Sequence, residues 1–205
     1  PPPSGGGTEQ WIKFMSNSQK IGIVGAGIMG ACLARAFKTA GVEPIVIDKA
    51  DDLTQGASAN PLGLVMPRLD ASDTPIARLL LDAYLFARKF YGQFGDACFP
   101  VDVRQPAKDE KDQRRFGKLL SDPPLDSGLL AGGDGGVQHK CGMILDPVKA
   151  RRALLNDVDV RWGERVGKLT PGAPCHIELS TGDILQADLV VLSSGMGVAK
   201  LAGDA

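Results

Sequence analysis

A chain of 205 residues with 43% hydrophobic content has room for one large domain or two small ones. Its formal net charge of −1 and pI near 6.2 lack the basic excess that usually marks a nucleic-acid binder, although a local patch on a neutral protein can still meet RNA. No apolar run approaches the ~20 residues that cross a bilayer, and the scattered Cys32, Cys98, Cys141 and Cys175 form no C-x-x-C pair, so the composition predicts a soluble, cytoplasmic protein with no metal site.

Residues 1–19 open with PPPSGGG and read as a linker or an expression remnant; a native linker would imply a preceding domain. Trp11, Ile12, Phe14 and Met15 either dock on the domain that follows or belong to the remnant. From Lys20 the pattern sharpens. Ile21, Ile23 and Val24 suit a buried parallel strand that runs straight into Gly25-Ala26-Gly27-Ile28-Met29-Gly30. In this G-x-G-x-x-G, Gly25 makes the turn, Gly27 keeps side-chain atoms away from a pyrophosphate, and Gly30 lets the next helix approach the sheet. That helix, with Cys32 expected on its buried side, stops at Gly41. A second strand, Pro44 to Ile47, ends in Asp48, where a carboxylate can accept from both ribose hydroxyls and repel a ribose phosphate. The spacing points to a dinucleotide, NAD or FAD, and away from NADP.

The stretch Gly56 to Arg68 (GASANPLGLVMPR) is small and apolar at once, which suits close passage along a planar ligand. Ser72-Asp73-Thr74-Pro75 starts a helix whose apolar residues Ile76, Leu79, Leu80, Ala83, Ala87, Phe90, Tyr91 and Phe94 predict a core-facing stripe. Phe99 to Pro106 reads as a strand. Lys108 to Leu120 reads as a surface helix with a thin apolar face at Phe116, Leu119 and Leu120. Its cations Lys108, Lys111, Arg114, Arg115 and Lys118 could meet RNA phosphates, but interleaved Asp109, Glu110 and Asp112 favour a solvated face. Pro123 to Gly136 is expected to be loop.

Asp146-Pro147 caps a short helix through Leu155, Val158 to Trp162 predicts a third parallel strand, and Thr181-Gly182-Asp183 joins two further strands as a hairpin. Leu189 to Leu192 is a last buried strand ending in Ser193-Ser194-Gly195-Met196-Gly197. His139 and His176 lack a partner motif and are read as structural or surface residues.

Taken together, IGIVGAGIMG, the acid closing the second strand and GASANPLGLVMPRLD resemble the FAD-dependent amine oxidases of the D-amino-acid oxidase and glycine oxidase superfamily. More narrowly they resemble the FAD-dependent oxidoreductase half of the bifunctional bacterial tRNA methylaminomethyl-thiouridine biosynthesis proteins. Ala59 stands where that half has the second Gly of Gly-Ala-Ser-Gly-Asn-Pro. Cys141-Gly142-Met143 replaces its Gly-Gly-Trp element, so no substrate contact is carried over to that strand.

The resemblance spans residues 20–205 and implies an α/β fold: a Rossmann-like FAD-binding parallel sheet, discontinuous over 20–95 and 151–205, with 96–150 beginning a mixed-sheet substrate domain. It implies FAD held by Gly25, Gly27 and Gly30 at the pyrophosphate and by Asp48, with adjoining Lys49, at the ribose. Ser58, Asn60 and Leu64 would line the flavin side, the Val166 backbone the adenine edge, and Gly195 and Met196 the inner edge. The implied reaction is oxidation of a secondary amine, specifically removal of the carboxymethyl group from carboxymethylaminomethyl-uridine at the tRNA wobble position, beside an N-terminal methyltransferase domain. The pattern matches the first half of such an oxidase, so the chain reads as a fragment, inactive alone and without a nameable catalytic residue; Arg68 is a candidate partner for a substrate carboxylate. A stand-alone oxidase of glycine, sarcosine or a D-amino acid, an NAD-dependent dehydrogenase, and a cofactor-binding scaffold without turnover are the alternatives.

Overall fold

The computed structural model describes residues 19–70, 72–125 and 127–203. The linker reading of residues 1–19, with Trp11, Ile12, Phe14 and Met15, lies outside them except at Gln19.

In chain order the elements are β1 (Ile21–Val24), α1 (Ile28–Thr39), β2 (Pro44–Asp48), β3 (Gly63–Val65), α2 (Pro75–Tyr91), β4 (Cys98–Pro106), α3 (Glu110–Ser121), β5 (Leu130–Gly133) and β6 (Gly136–Leu145). After them come α4 (Pro147–Leu154), β7 (Asp159–Trp162), β8 (Val166–Thr170), β9 (Cys175–Leu179), β10 (Ile184–Ala187), β11 (Leu189–Leu192) and α5 (Val198–Ala202). They gather into two compact units, residues 19–59 with 151–203, and the described residues of 60–150.

The first unit is built on a parallel sheet in the order β11-β1-β2-β7. Every residue of β1 is buried, as a central parallel strand covered on both faces requires. Gly22 and Val24 face a three-stranded antiparallel sheet (β10-β9-β8): Val24 joins Ile47, Val166, Ile177, Leu179 and Ala187 in one core cluster, and a Cβ on Gly22 would lie 2.7 Å from Ile177 Cδ1. By alternation Ile21 and Ile23 face the other side, where α1 packs with Ala31 and Ala34 fully buried. Cys32 is half-buried, which corrects its expected place on the buried side. Gly41 has φ 80° just past the end of α1, the left-handed conformation that ends a helix. Arg35 fixes α1 to the turn after α4, donating from Nε to Leu154 O at 3.0 Å and from Nη2 to Asn156 O at 2.6 Å.

The second unit is an antiparallel sheet with β6 at its centre, paired to β4 on one side and to β3 and β5 on the other. Pro100 and Pro106 sit in β4, an edge strand that tolerates missing donors. β5 corrects the expectation of a loop over 123–136. Asp134 (φ 46°) and Gly135 (φ 71°) make a two-residue turn with positive φ at both positions, and the glycine-rich stretch folds back as a hairpin.

Helix α2 begins as its sequence predicts, with Thr74 Oγ1 accepting from Ala77 N and proline in the first turn. The stripe it buries is a different one. Ile76 and Leu79 are 67% and 64% exposed and Leu80 is exposed too, whereas Tyr84 is buried and Leu81 packs against its cluster. The helix carries apolar residues on more than one face, and the Tyr84 hydroxyl, which donates to Cys141 O, belongs to the face that wins. Toward the C-terminal end, Ala87, Phe90, Tyr91 and Phe94 are half-buried. In α3, Phe116 and Leu119 are buried as predicted, but Leu120 is exposed. Arg114 and Arg115 pair within the helix with Glu110 and Asp112 at 3.5 and 3.4 Å. Cys141 and Met143 of the departing Cys-Gly-Met element are core residues, while a Cβ on Gly142 would meet Val103 Cγ2 at 2.6 Å beside the register shift in β4.

Candidate dinucleotide site

Strand β1 hands the chain to Gly25, whose φ of 109° and close approach exclude a side chain: a Cβ would lie 2.8 Å from Ser193 O at the end of β11. Gly25 N donates to Ile47 O at 2.8 Å and Ala26 N to Asp48 Oδ2 at 2.6 Å, so the turn is bound to the end of β2. A Cβ on Gly30 would fall 1.8 Å from Gly25 O, which shows how closely the first turn of α1 lies on the loop. At Gly27 the space is open, with only Ser58 Oγ in reach at 3.4 Å; that oxygen accepts from Ile28 N at 3.0 Å.

Gly27 itself supplies no side-chain cap to α1 and the first turn carries no acid; with Ile28 N taken by Ser58 Oγ, the following N–H groups of the first turn and the positive dipole end are left for an anion. Asp48 uses Oδ2 on Ala26 N and Oδ1 on Ala50 N at 2.8 Å, and each oxygen retains a lone pair for a hydroxyl. A helix start with glycine at its cap position, a glycine that keeps side-chain atoms back and a part-buried carboxylate fit the pyrophosphate and ribose of a dinucleotide. Gly25, Gly27, Gly30, Asp48 and Ser58 thus meet at one loop.

The other expected residues are spread more widely. Lys49 is exposed just beyond β2, and Val166 has its side chain in the core with Val24 and Ile47. Gly195 and Met196 lie in a 3-10 turn after β11, with Met196 98% exposed. Asn60 and Leu64 belong to the second unit, where Leu64 is 56% exposed.

Two residues that pattern reading passed over support the loop. Ser193 Oγ lies 2.9 Å from Gly25 O and 3.1 Å from Val24 O, its single hydroxyl hydrogen shared between the two carbonyls. Arg151, only 3% exposed, donates from Nη1 to Ala26 O at 3.3 Å and from Nη2 to Leu53 O, joining the glycine loop to the segment after Asp48. Burial pulls the Arg151 guanidinium below its ordinary value, and the Asp48 and Asp52 carboxylates push it back up. The available signal was an arginine on the same helical face as Leu154, at a position where an apolar residue is expected.

His176 is exposed on β9, whereas His139 in β6 is 2% exposed and touches Gln105 Oε1 through Nε2 at 3.1 Å. Burial holds the His139 pKa below 6.5. Between 6.5 and that lower value the unfolded chain binds a proton that the folded chain refuses, so stability falls as pH falls through this window, by at most ~1.4 kcal/mol per pH unit. Urea midpoints across pH 7 to about 5 should show this slope, and His139→Leu should flatten it; an equal slope in the variant would assign it elsewhere.

A family model described as FAD dependent oxidoreductase matches residues 20–205. Among curated relatives, the tRNA 5-methylaminomethyl-2-thiouridine biosynthesis bifunctional protein MnmC of Idiomarina loihiensis is 32% identical over 193 residues, 85% of this chain and 31% of the relative. The protein of the same name from Marinomonas sp. is 37% identical over 121 residues, 56% of this chain and 18% of the relative. The chain thus spans less than a third of the length of either. Among solved structures, glycine oxidase from Bacillus cereus superposes with a TM-score of 0.70 at 14% identity, over 90% of this chain and 57% of that one, a likeness of fold.

Proposed function

The chain belongs to the FAD-dependent oxidoreductase family, and from that premise we propose that it is the cofactor-holding part of an enzyme that oxidises the C–N bond of a secondary amine. FAD would accept a hydride from the carbon beside nitrogen, and water would then cleave the resulting imine to a primary amine and a carbonyl product. The observation that carries the reading is the loop at Gly25–Gly30, closed by Asp48 and open at Gly27.

In this reading the first-turn N–H groups of α1 beyond Ile28 bind the pyrophosphate, Asp48 orients the adenosine ribose, and Ser58 holds the first turn in place by accepting from Ile28 N. The buried Val166 side chain leaves its backbone for the adenine edge. Lys49, Gly195 and Met196 are assigned to the rim of the same cofactor, and Asn60 and Leu64 to its flavin side. We assign FAD binding to 20–59 and 151–203 and the start of the substrate domain to 96–150; residues 60–95, grouped by sequence with the first set, cluster with the second unit.

The specific substrate we propose is carboxymethylaminomethyl-uridine at the tRNA wobble position, with glyoxylate released, in the cytoplasm and beside a methyltransferase domain. The names and identities of the MnmC relatives support it. No described helix is long and apolar enough to cross a membrane. Oxidation of free glycine, sarcosine or a D-amino acid is the second reading, supported by the fold shared with glycine oxidase. Turnover on tRNA bearing the modified uridine, set beside turnover on glycine, separates the two; equal oxidation of free glycine would end the tRNA reading.

Gly27→Val tests the cofactor site. Its Cβ meets only Ser58 Oγ, so the chain should fold, while the added methyls occupy the pyrophosphate position. FAD affinity, read by quenching of flavin fluorescence, should fall by at least about tenfold. Unchanged affinity would remove the pyrophosphate from this loop.

A further inference from the structure

Helix α2 turns Tyr84 and Leu81 toward the core cluster of its own unit and leaves a second apolar stripe on the surface. Ile76, Leu79, Ala83, Phe86 and Phe90 follow one another at alternating steps of three and four residues, the a and d positions of a heptad. At roughly 3.6 residues per turn these five fall within about 80° of arc, on the side away from Leu81 and Tyr84. Ile76, Leu79, Ala83 and Phe86 are exposed, and the Phe86 ring stacks on half-buried Phe90 at 5.7 Å. A surface helix needs one apolar face for its core, so a second continuous one marks a surface of association.

We propose that this stripe is a contact between two copies of the chain, their α2 helices packed antiparallel about a two-fold axis. Leu79 meets Phe90 of the second copy, and Ala83 meets Phe86 of the second copy, a small residue set against a large one at the centre.

Charge decides both the occupant and the register. Asp82 and Lys89 flank the stripe along one edge, Leu80 and Ala87 along the other. Asp82 and Lys89 are exposed, and neither has an ion-pair partner among the described residues. In the antiparallel register above, Asp82 of each copy lies beside Lys89 of the other, and symmetry makes the pair twice. Sliding one helix by a heptad brings Asp82 against Asp82 in one direction and Lys89 against Lys89 in the other. A parallel pair sets Asp82 beside uncharged Ala87. The surface is therefore complementary to itself in one register. The seam is a single short helix on each side, so the dimer is a weak one that dissociates in the micromolar range. The inference is independent of the cofactor site and of the amine-oxidase reading.

Sedimentation equilibrium of the chain across the micromolar range tests the contact. The wild type should be a reversible dimer. Asp82→Lys and Lys89→Asp each turn two attractions into two repulsions and should weaken association by about tenfold or more. The double variant Asp82→Lys/Lys89→Asp sets opposite charges across the axis again and should recover the wild-type affinity. Both side chains are exposed, so all three variants keep the fold of the monomer. A chain that stays monomeric overturns the proposal and leaves the stripe to another segment or partner. A dimer that the single reversals do not weaken, or that the double variant does not restore, overturns it equally.

Discussion

Gly30→Ala is expected to damage this protein more than its single added methyl suggests. The new Cβ would lie 1.8 Å from Gly25 O and 2.7 Å from Ser193 Oγ. Neither is the free end of a flexible side chain: one is loop backbone, and the other is held by a hydrogen shared between Val24 O and Gly25 O. Relief requires α1 to lift off the loop or β11 to move away from β1; the first opens the helix–sheet packing and the second breaks the β11–β1 pairing. A loss of about 3 kcal/mol or more follows, at the upper end for overpacking, and FAD retention should fall with it. Gly27→Ala is the control. Its Cβ meets only Ser58 Oγ at 3.4 Å, so it should cost about 1 kcal/mol or less in stability. Urea midpoints for the two variants measure the contrast; a wild-type midpoint in Gly30→Ala would mean that α1 does not lie on the glycine turn.

Steric demands of this kind are what made the loop legible in the sequence. G-x-G-x-x-G, the strand before it and the acid after it are local features, and local sterics dictate them: only glycine satisfies a φ of 109° with a carbonyl 2.8 Å from its missing Cβ. Strand β1 was legible for a different reason: covered on both faces, it reads as a short apolar run. Helix α2 was not. Its register against the sheet is decided by Tyr84 reaching Cys141 O, a contact 57 residues away in sequence, while Ile76 and Leu79 carry an equally good apolar period on the exposed side. β5 was hidden because glycine-rich sequence reads as loop until a partner strand is known. Ser193 and Arg151 were hidden because their work is done on the backbone carbonyls of distant segments, which leaves no spacing rule in the chain.

Arg151→Met should therefore have the second large effect. The substitution keeps an apolar stem in a site that is 3% exposed but removes the donors to Ala26 O and Leu53 O. Two carbonyls lose their partners, and Asp48 and Asp52 lose the cation that offsets them. The expected cost is about 2–4 kcal/mol, since methionine recovers packing and water can reach only part of the vacated edge. Because the loop carries the Gly27 N-cap, FAD affinity should fall as well. Two further variants divide the effect. Arg151→Lys retains the charge on a single ammonium that cannot span two carbonyls, so it should restore the electrostatic share and leave the loop loosely tied. Asp48→Asn made in the Arg151→Met background should cost less than Asp48→Asn alone, because the unbalanced charge has already gone. Additive losses in that cycle would sink the electrostatic part of the argument and leave Arg151 as a mechanical link, whereas wild-type stability in Arg151→Met would remove both roles.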